Sequence, residues 1–128
     1  MSFQQAVRSG LEKYARFEGR DGRSAFWFWV LFTVLVSIVA GVVDTILGTG
    51  DPSTGTGLVG GLASLALLVP SLAVGARRLH DIGKSGWMQL LAVVPILGWI
   101  YLIYLFAQEG HAGENQYGQP PVTAPSMA

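Results

Sequence analysis

The stretch most able to do chemistry is Arg77-Arg78-Leu79-His80-Asp81-Ile82-Gly83-Lys84-Ser85-Gly86. On a helix, Arg77, His80 and Asp81 share one face at i, i+3 and i+4, so Arg77 and Asp81 can pair with the imidazole beside them. Two sharper chemistries fit an adjacent His and Asp: a general base oriented by a carboxylate, or two ligands of a metal. Neither is complete. A metal site needs three or four protein ligands at defined spacing, and the only other histidine, His111, lies beyond the next apolar run. Ser85 is a nucleophile without a triad around it. The residues therefore predict no catalytic group, no metal site and no cofactor, so a non-enzyme. A clamp is the structural use of the same side chains. Asp81 would accept hydrogen bonds from Arg20, Arg23 or Arg77, because guanidinium–carboxylate pairs are bidentate and directional. Gly83 and Gly86 would then form the tight turn that aims Trp87 into a membrane.

A second cluster, Gly19-Arg20-Asp21-Gly22-Arg23, precedes Phe26 and Trp27. Its arginines can pair with lipid phosphates, reach an acidic partner, or serve as topological anchors. Asp44 is the one ionisable residue inside an apolar run; its place near the run's end makes it an interfacial carboxylate rather than a midplane charge. Gly57 and Gly61 have the small-xxx-small spacing that lets lipid-embedded helices approach closely, within one copy or between copies.

The elements that must position these residues are apolar. Of the 128 residues, 51% are hydrophobic and 12% charged, about half the roughly 25% charged content of a soluble domain. That composition points to lipid as the solvent, and a net charge of zero argues against nucleic acid as a partner. With no cysteine, disulfides and thiolate chemistry are excluded. Residues 2–18 carry Phe3, Ala6, Val7, Leu11, Tyr14 and Phe17 at helical spacing. Ser2 and Gln5 suit a capping box and Gly19 a stop. This amphipathic helix either lies in the membrane interface or packs on the rest of the protein. Three runs then meet the spanning length of about 20 residues: 25–47, 57–76 and 87–107. Phe26, Trp27 and Trp29 form an aromatic belt at the start of the first. Pro70 should kink the second, and Pro95 with Gly98 leaves the third open to being broken or re-entrant. Residues 1–120 read as one membrane domain and 121–128 as a flexible tail.

All eight Lys and Arg fall in residues 1–24 or 77–86. The positive-inside rule places the N-terminus and the second loop in the cytoplasm, with Gly48–Thr56 and the tail outside. A hairpin at Pro95 and Gly98 would instead return the tail to the cytoplasm.

Taken together, Gly19-Arg20-x-x-Arg23 with Phe26-Trp27, the Arg77–Trp87 stretch, Pro95-x-x-Gly98-Trp99 and Gly110-x-x-Gly113-x-Asn115-x-Tyr117-Gly118-x-Pro120 resemble the bacterial inner-membrane proteins of domain of unknown function 805, of the YhaH type. The resemblance runs from about Tyr14 to Pro120. Gln119 departs from it where the family usually has an acidic residue. It implies a bacterial inner-membrane location and several helices, and it implies no activity. It also implies that the basic clusters and the tail motif, including Asn115 and Tyr117, meet, which favours a cytoplasmic tail.

The expected fold is an all-α membrane protein of three transmembrane helices preceded by an N-terminal interfacial amphipathic helix. The expected partners are the lipid bilayer and a larger membrane protein complex or further copies of this chain. The candidate interaction residues are Arg20, Arg23, Arg77, Arg78, His80, Asp81, Trp87, Asn115 and Tyr117. The expected role is a non-enzymatic accessory or scaffold subunit. The alternatives are a small homo-oligomeric transporter or channel, and a headgroup-layer enzyme using His80 and Asp81.

Overall fold

The chain opens on the expected capping box. The Gln5 amide donates to Ser2 Oγ at 3.1 Å and the Ser2 amide to Gln5 Oε1 at 3.0 Å, satisfying two helix-end donors reciprocally. In the computed structural model, which describes residues 2–51, 53 and 56–121, this box begins helix α1 (Phe3–Glu12). The helix stops at Glu12 and not at Gly19. The Arg16 carbonyl, which a continuing helix would use, accepts from Arg77 Nη1, and the Lys13 carbonyl is shared between Arg77 Nη1 and the Arg16 amide of a tight turn. α1 packs on the next helix through Ala6 and Gly10; a Cβ on Gly10 would stand 2.3 Å from the Trp29 ring. Leu11, Tyr14 and Phe17 stay exposed, the side chains an interfacial helix would give to lipid.

Helices α2 (Arg23–Leu47) and α3 (Leu58–Asp81) are each long and apolar enough to cross a membrane. Ile38, Val39, Ile46, Leu62 and Leu65 point outward along them. An apolar surface that large and continuous is what a lipid-facing protein presents. α3 runs without a break past Pro70 and beyond the expected Ala76 to Asp81, carrying the Arg-Arg-Leu-His-Asp segment on its last turn. Between the helices, β1 (Gly50–Asp51) pairs antiparallel with β2 (Thr56–Gly57). Pro52, expected at the heart of this loop, lies outside the described residues, as does the tail at 122–128.

Asp44 is structural. α3 begins at Gly57 without a capping side chain of its own. Asp44 supplies one from α2: its carboxylate accepts the Val59 and Gly60 amides, each at 2.9 Å, and the Thr49 hydroxyl at 2.5 Å. A carboxylate at a helix N-terminus satisfies orphan donors and complements the dipole. The Gly57–Gly61 pair divides accordingly. A Cβ on Gly57 would lie 2.3 Å from that carboxylate, whereas Gly61 faces open space.

The third apolar run is not one helix. A 3-10 helix (Gly86–Val93) leads through Pro95 and Ile96, the latter at φ 67°, into α4 (Leu97–Phe106). The two limbs touch where a Cβ on Gly98 would sit 1.8 Å from the Leu91 carbonyl oxygen. Each limb is about 15 Å long, half the ~30 Å hydrocarbon core. The run starts with Gly86 against Ala76 and ends with the Phe106 carbonyl on Arg78, so entry and exit lie at the same end of α3. Two core clusters hold these elements. Leu79, Ile82, Leu102 and Leu105 form one; Phe26, Trp29 and Val74 form the other, and Phe106 packs on both. Phe26 and Trp29 are thus buried rather than part of an interfacial belt; of the expected belt only Trp27 is exposed.

Candidate functional site

The polar residues at the end of α3 gather into one buried network. Arg20 leaves the α1–α2 connection and inserts between α3 and the tail. Its Nε donates to Asp81 Oδ1 at 2.9 Å, its Nη2 to the carbonyls of Asp81 and His111, and its Nη1 to those of Gly113 and Gly118. Arg78 holds the other carboxylate oxygen, Nη1 to Oδ2 at 2.8 Å, and donates to the carbonyls of Phe106 and Gln108. Arg77 pairs with Asp21, Nε to Oδ2 at 2.8 Å, while the Asp21 amide donates to the Arg77 carbonyl. All five charged side chains are almost completely buried. Arg77 Nη2 is buried without a hydrogen-bond partner among the described residues.

The clamp expected on Asp81 is therefore present with different hands. Arg20 takes part as anticipated. The intrahelical partner is Arg78 at i−3 rather than Arg77, and Arg77 turns to Asp21. Arg23 stands apart, 3.9 Å from Glu109 with both side chains exposed, a geometry worth little in water.

The tail wraps this cluster. The His111 amide donates to the Asp81 carbonyl, Asn115 Nδ2 to the His80 carbonyl, and Asn115 Oδ1 accepts the Tyr117 amide. Tyr117 stacks on His80, ring centroids 3.9 Å apart and nearly parallel. Close approach demands glycine at Gly110, where a Cβ would fall 1.9 Å from Asp81 Oδ2. His111 thus lies at the same end of α3 as His80, because the chain turns back at Pro95, the hairpin alternative that Pro95 and Gly98 left open. Trp87 is outside this network, largely exposed beyond the Ser85 hydroxyl that caps the 3-10 helix. Missing from the sequence-derived set were Asp21, the Gly19 carbonyl and Gly110. Gly19 and Gly110 are named positions of the motifs that carried the family resemblance, which was the available signal, whereas Asp21 falls at an unspecified position between Arg20 and Arg23.

Asp81 is saturated by two guanidinium groups, so it cannot orient His80. The imidazole Nδ1 instead meets the Gly19 carbonyl at 3.0 Å. Among the described residues no group of three or more His, Asp or Glu side chains could hold a metal ion.

Two bilayer-length helices, a short broken hairpin and a buried arginine–aspartate latch define a small helical membrane protein. The family described as Protein of unknown function (DUF805) matches residues 14–119, and the chain belongs to it. It is 34% identical to the inner membrane protein YhaH of Escherichia coli (strain K12) over 115 residues, covering 90% of this chain and 94% of that one. It is 38% identical to the inner membrane protein YhaI of the same strain over 113 residues, covering 88% and 92%. No solved structure matches it.

Proposed function

We propose that the protein is a non-enzymatic accessory or scaffold subunit of the bacterial inner membrane, with its N-terminus cytoplasmic, binding a larger membrane partner or lipid headgroups. The observation that carries this reading is the latch. Arg20, Arg78 and Asp81 are spent on one another and on tail carbonyls, and Arg77 on Asp21 and the carbonyls of the α1–α2 connection, which leaves Asp81 no capacity to orient His80 as a base. The latch end also presents exposed aromatic and aliphatic side chains: Phe17, Trp87 and Leu90. The names of YhaH and YhaI supply the membrane, and the basic bias of residues 1–24 and 77–86 supplies the orientation. In the bilayer, α2 and α3 span and the 86–106 hairpin enters and leaves on the cytoplasmic side, in place of a third span. The test is extraction in a mild polymer disc, with mass determination and identification of what co-migrates. A stoichiometric protein or retained lipid is expected; a bare monomer overturns the reading.

A second reading, a small homo-oligomeric transporter or channel, is favoured by one observation. A groove of about 720 Å³ between α2 and α3 is lined by Ser37, Gly41, Gly61 and Ser64, open to a helix of another copy. Gly61→Leu would abolish a homo-oligomer built there and leave a hetero-complex intact.

A further inference from the structure

The Gly19 carbonyl can only accept a hydrogen bond, so its contact with His80 Nδ1 at 3.0 Å fixes the proton on that nitrogen. In the neutral ring Nε2 then carries a bare lone pair. That nitrogen lies 3.7 Å from where a Cβ on Gly86 would stand, at the wall of a cleft of about 390 Å³. The volume is within the ~300–1,000 Å³ range of ligand pockets. Phe17, Leu72, Trp87 and Leu90 supply its apolar lining, His80 and Ser85 a polar end, and Gln89, whose amide nitrogen is spent on the Leu72 and Gly86 carbonyls, a third polar group. Ser85 Oγ accepts the Trp87 amide, which leaves its hydroxyl hydrogen to donate. His80 therefore offers an acceptor and Ser85 a donor at the head of a largely apolar slot, beside the end of a spanning helix.

We infer that this cleft binds a membrane phospholipid with a hydroxyl-bearing anionic headgroup, the hydroxyl donating to His80 Nε2 and a phosphate oxygen accepting from Ser85. The inference rests on the interfacial-binding reading above and narrows it to a site. Charge decides the headgroup. The latch end carries eight basic residues against the six acidic ones at Glu12, Glu18, Asp21, Asp81, Glu109 and Glu114, a surplus of two positive charges, and exposed Lys84 adjoins Ser85. An anionic headgroup is attracted there, whereas an ammonium headgroup, equally able to donate to Nε2, is repelled. Tyr117 stacked on the imidazole and Nδ1 tied to Gly19 hold the ring in place before a lipid arrives, so little ordering cost falls on binding.

The test is native mass spectrometry of the full chain in detergent with three added lipids. Phosphatidylglycerol has charge and hydroxyl, phosphatidylmethanol has the charge alone, and phosphatidylcholine has neither net charge nor donor. Phosphatidylglycerol should bind roughly tenfold more tightly than phosphatidylmethanol, the scale of one hydrogen bond left unmade in an apolar setting. His80→Phe keeps a flat ring for Tyr117 and removes both nitrogens, so that ratio should fall to about one. Trp87→Ala, at a position too exposed to unfold the protein, should weaken all three lipids alike. Equal binding of phosphatidylglycerol and phosphatidylmethanol, a ratio that survives His80→Phe, or undiminished binding by Trp87→Ala overturns the site. A chain that shows no such selectivity yet retains a protein partner loses this site and keeps the accessory reading. One that retains neither lipid nor protein loses both.

Discussion

Asp81 is the residue on which the described structure converges. Its two oxygens take Arg20 and Arg78, and its carbonyl takes both Arg20 Nη2 and the His111 amide. Replacing it removes one charge and strands two buried ones, which costs about 3–5 kcal/mol when a buried pair is broken from one side. Asp81→Ala should therefore lower the thermal midpoint in detergent sharply and expose residues 108–121 to protease. Asp81→Asn, which keeps the shape and one acceptor, should lie between it and the parent. An Asp81→Ala protein as stable as the parent would remove the latch from this account. Asp44 makes the opposite point. Its carboxylate caps α3 and accepts the Thr49 hydroxyl. Asp44→Ala should lower the midpoint by a few degrees, Asp44→Asn less because its amide oxygen can still accept an N–H, and neither should change any flux measured in proteoliposomes.

The elements differ in how far their sequence foretold them. α2 and α3 were legible from apolar length alone, because lipid demands that a spanning backbone satisfy itself. α1 was legible at its start, where Ser2 and Gln5 act locally, and illegible at its end. The carbonyls of Lys13 and Arg16 are claimed by Arg77, more than sixty residues away in the chain. The same limit applies at the latch. The sequence placed His80 and Asp81 at helical spacing, but which arginine meets which aspartate depends on where the α1–α2 connection crosses α3. The third run held its own warning in Pro95 and Gly98, and the structure turns there. Gly98→Val tests that turn, since a Cβ would lie 1.8 Å from the Leu91 carbonyl oxygen, backbone that cannot yield cheaply. The limbs should separate, and because Arg78 binds the last residue of α4 and the chain just past it, protection of the tail from protease should fall. Unchanged protection would mean that the hairpin tip does not position the tail.

At the scale of the whole molecule, the two ends are chemically unlike. One end has the Asp44 cap and the small β1–β2 ribbon; the other has every lysine and arginine, the latch and the described part of the tail. A bilayer reads such asymmetry as orientation, since basic residues near span ends are retained on the cytoplasmic side. A continuous third span would put Lys84 and the tail on opposite faces; a returning hairpin puts them on one. The absence of native cysteine makes the distinction direct. Single substitutions Lys84→Cys, Gln119→Cys and Ser53→Cys, each at an exposed position, can be labelled in intact and in permeabilised cells with a membrane-impermeant maleimide. Lys84→Cys and Gln119→Cys should react only after permeabilisation, and Ser53→Cys in intact cells. Labelling of Gln119→Cys in intact cells would place the tail outside and make the third run a span. Arg20 could not then reach the Gly113 and Gly118 carbonyls from the side that holds Asp81, so the same result would dismantle the latch.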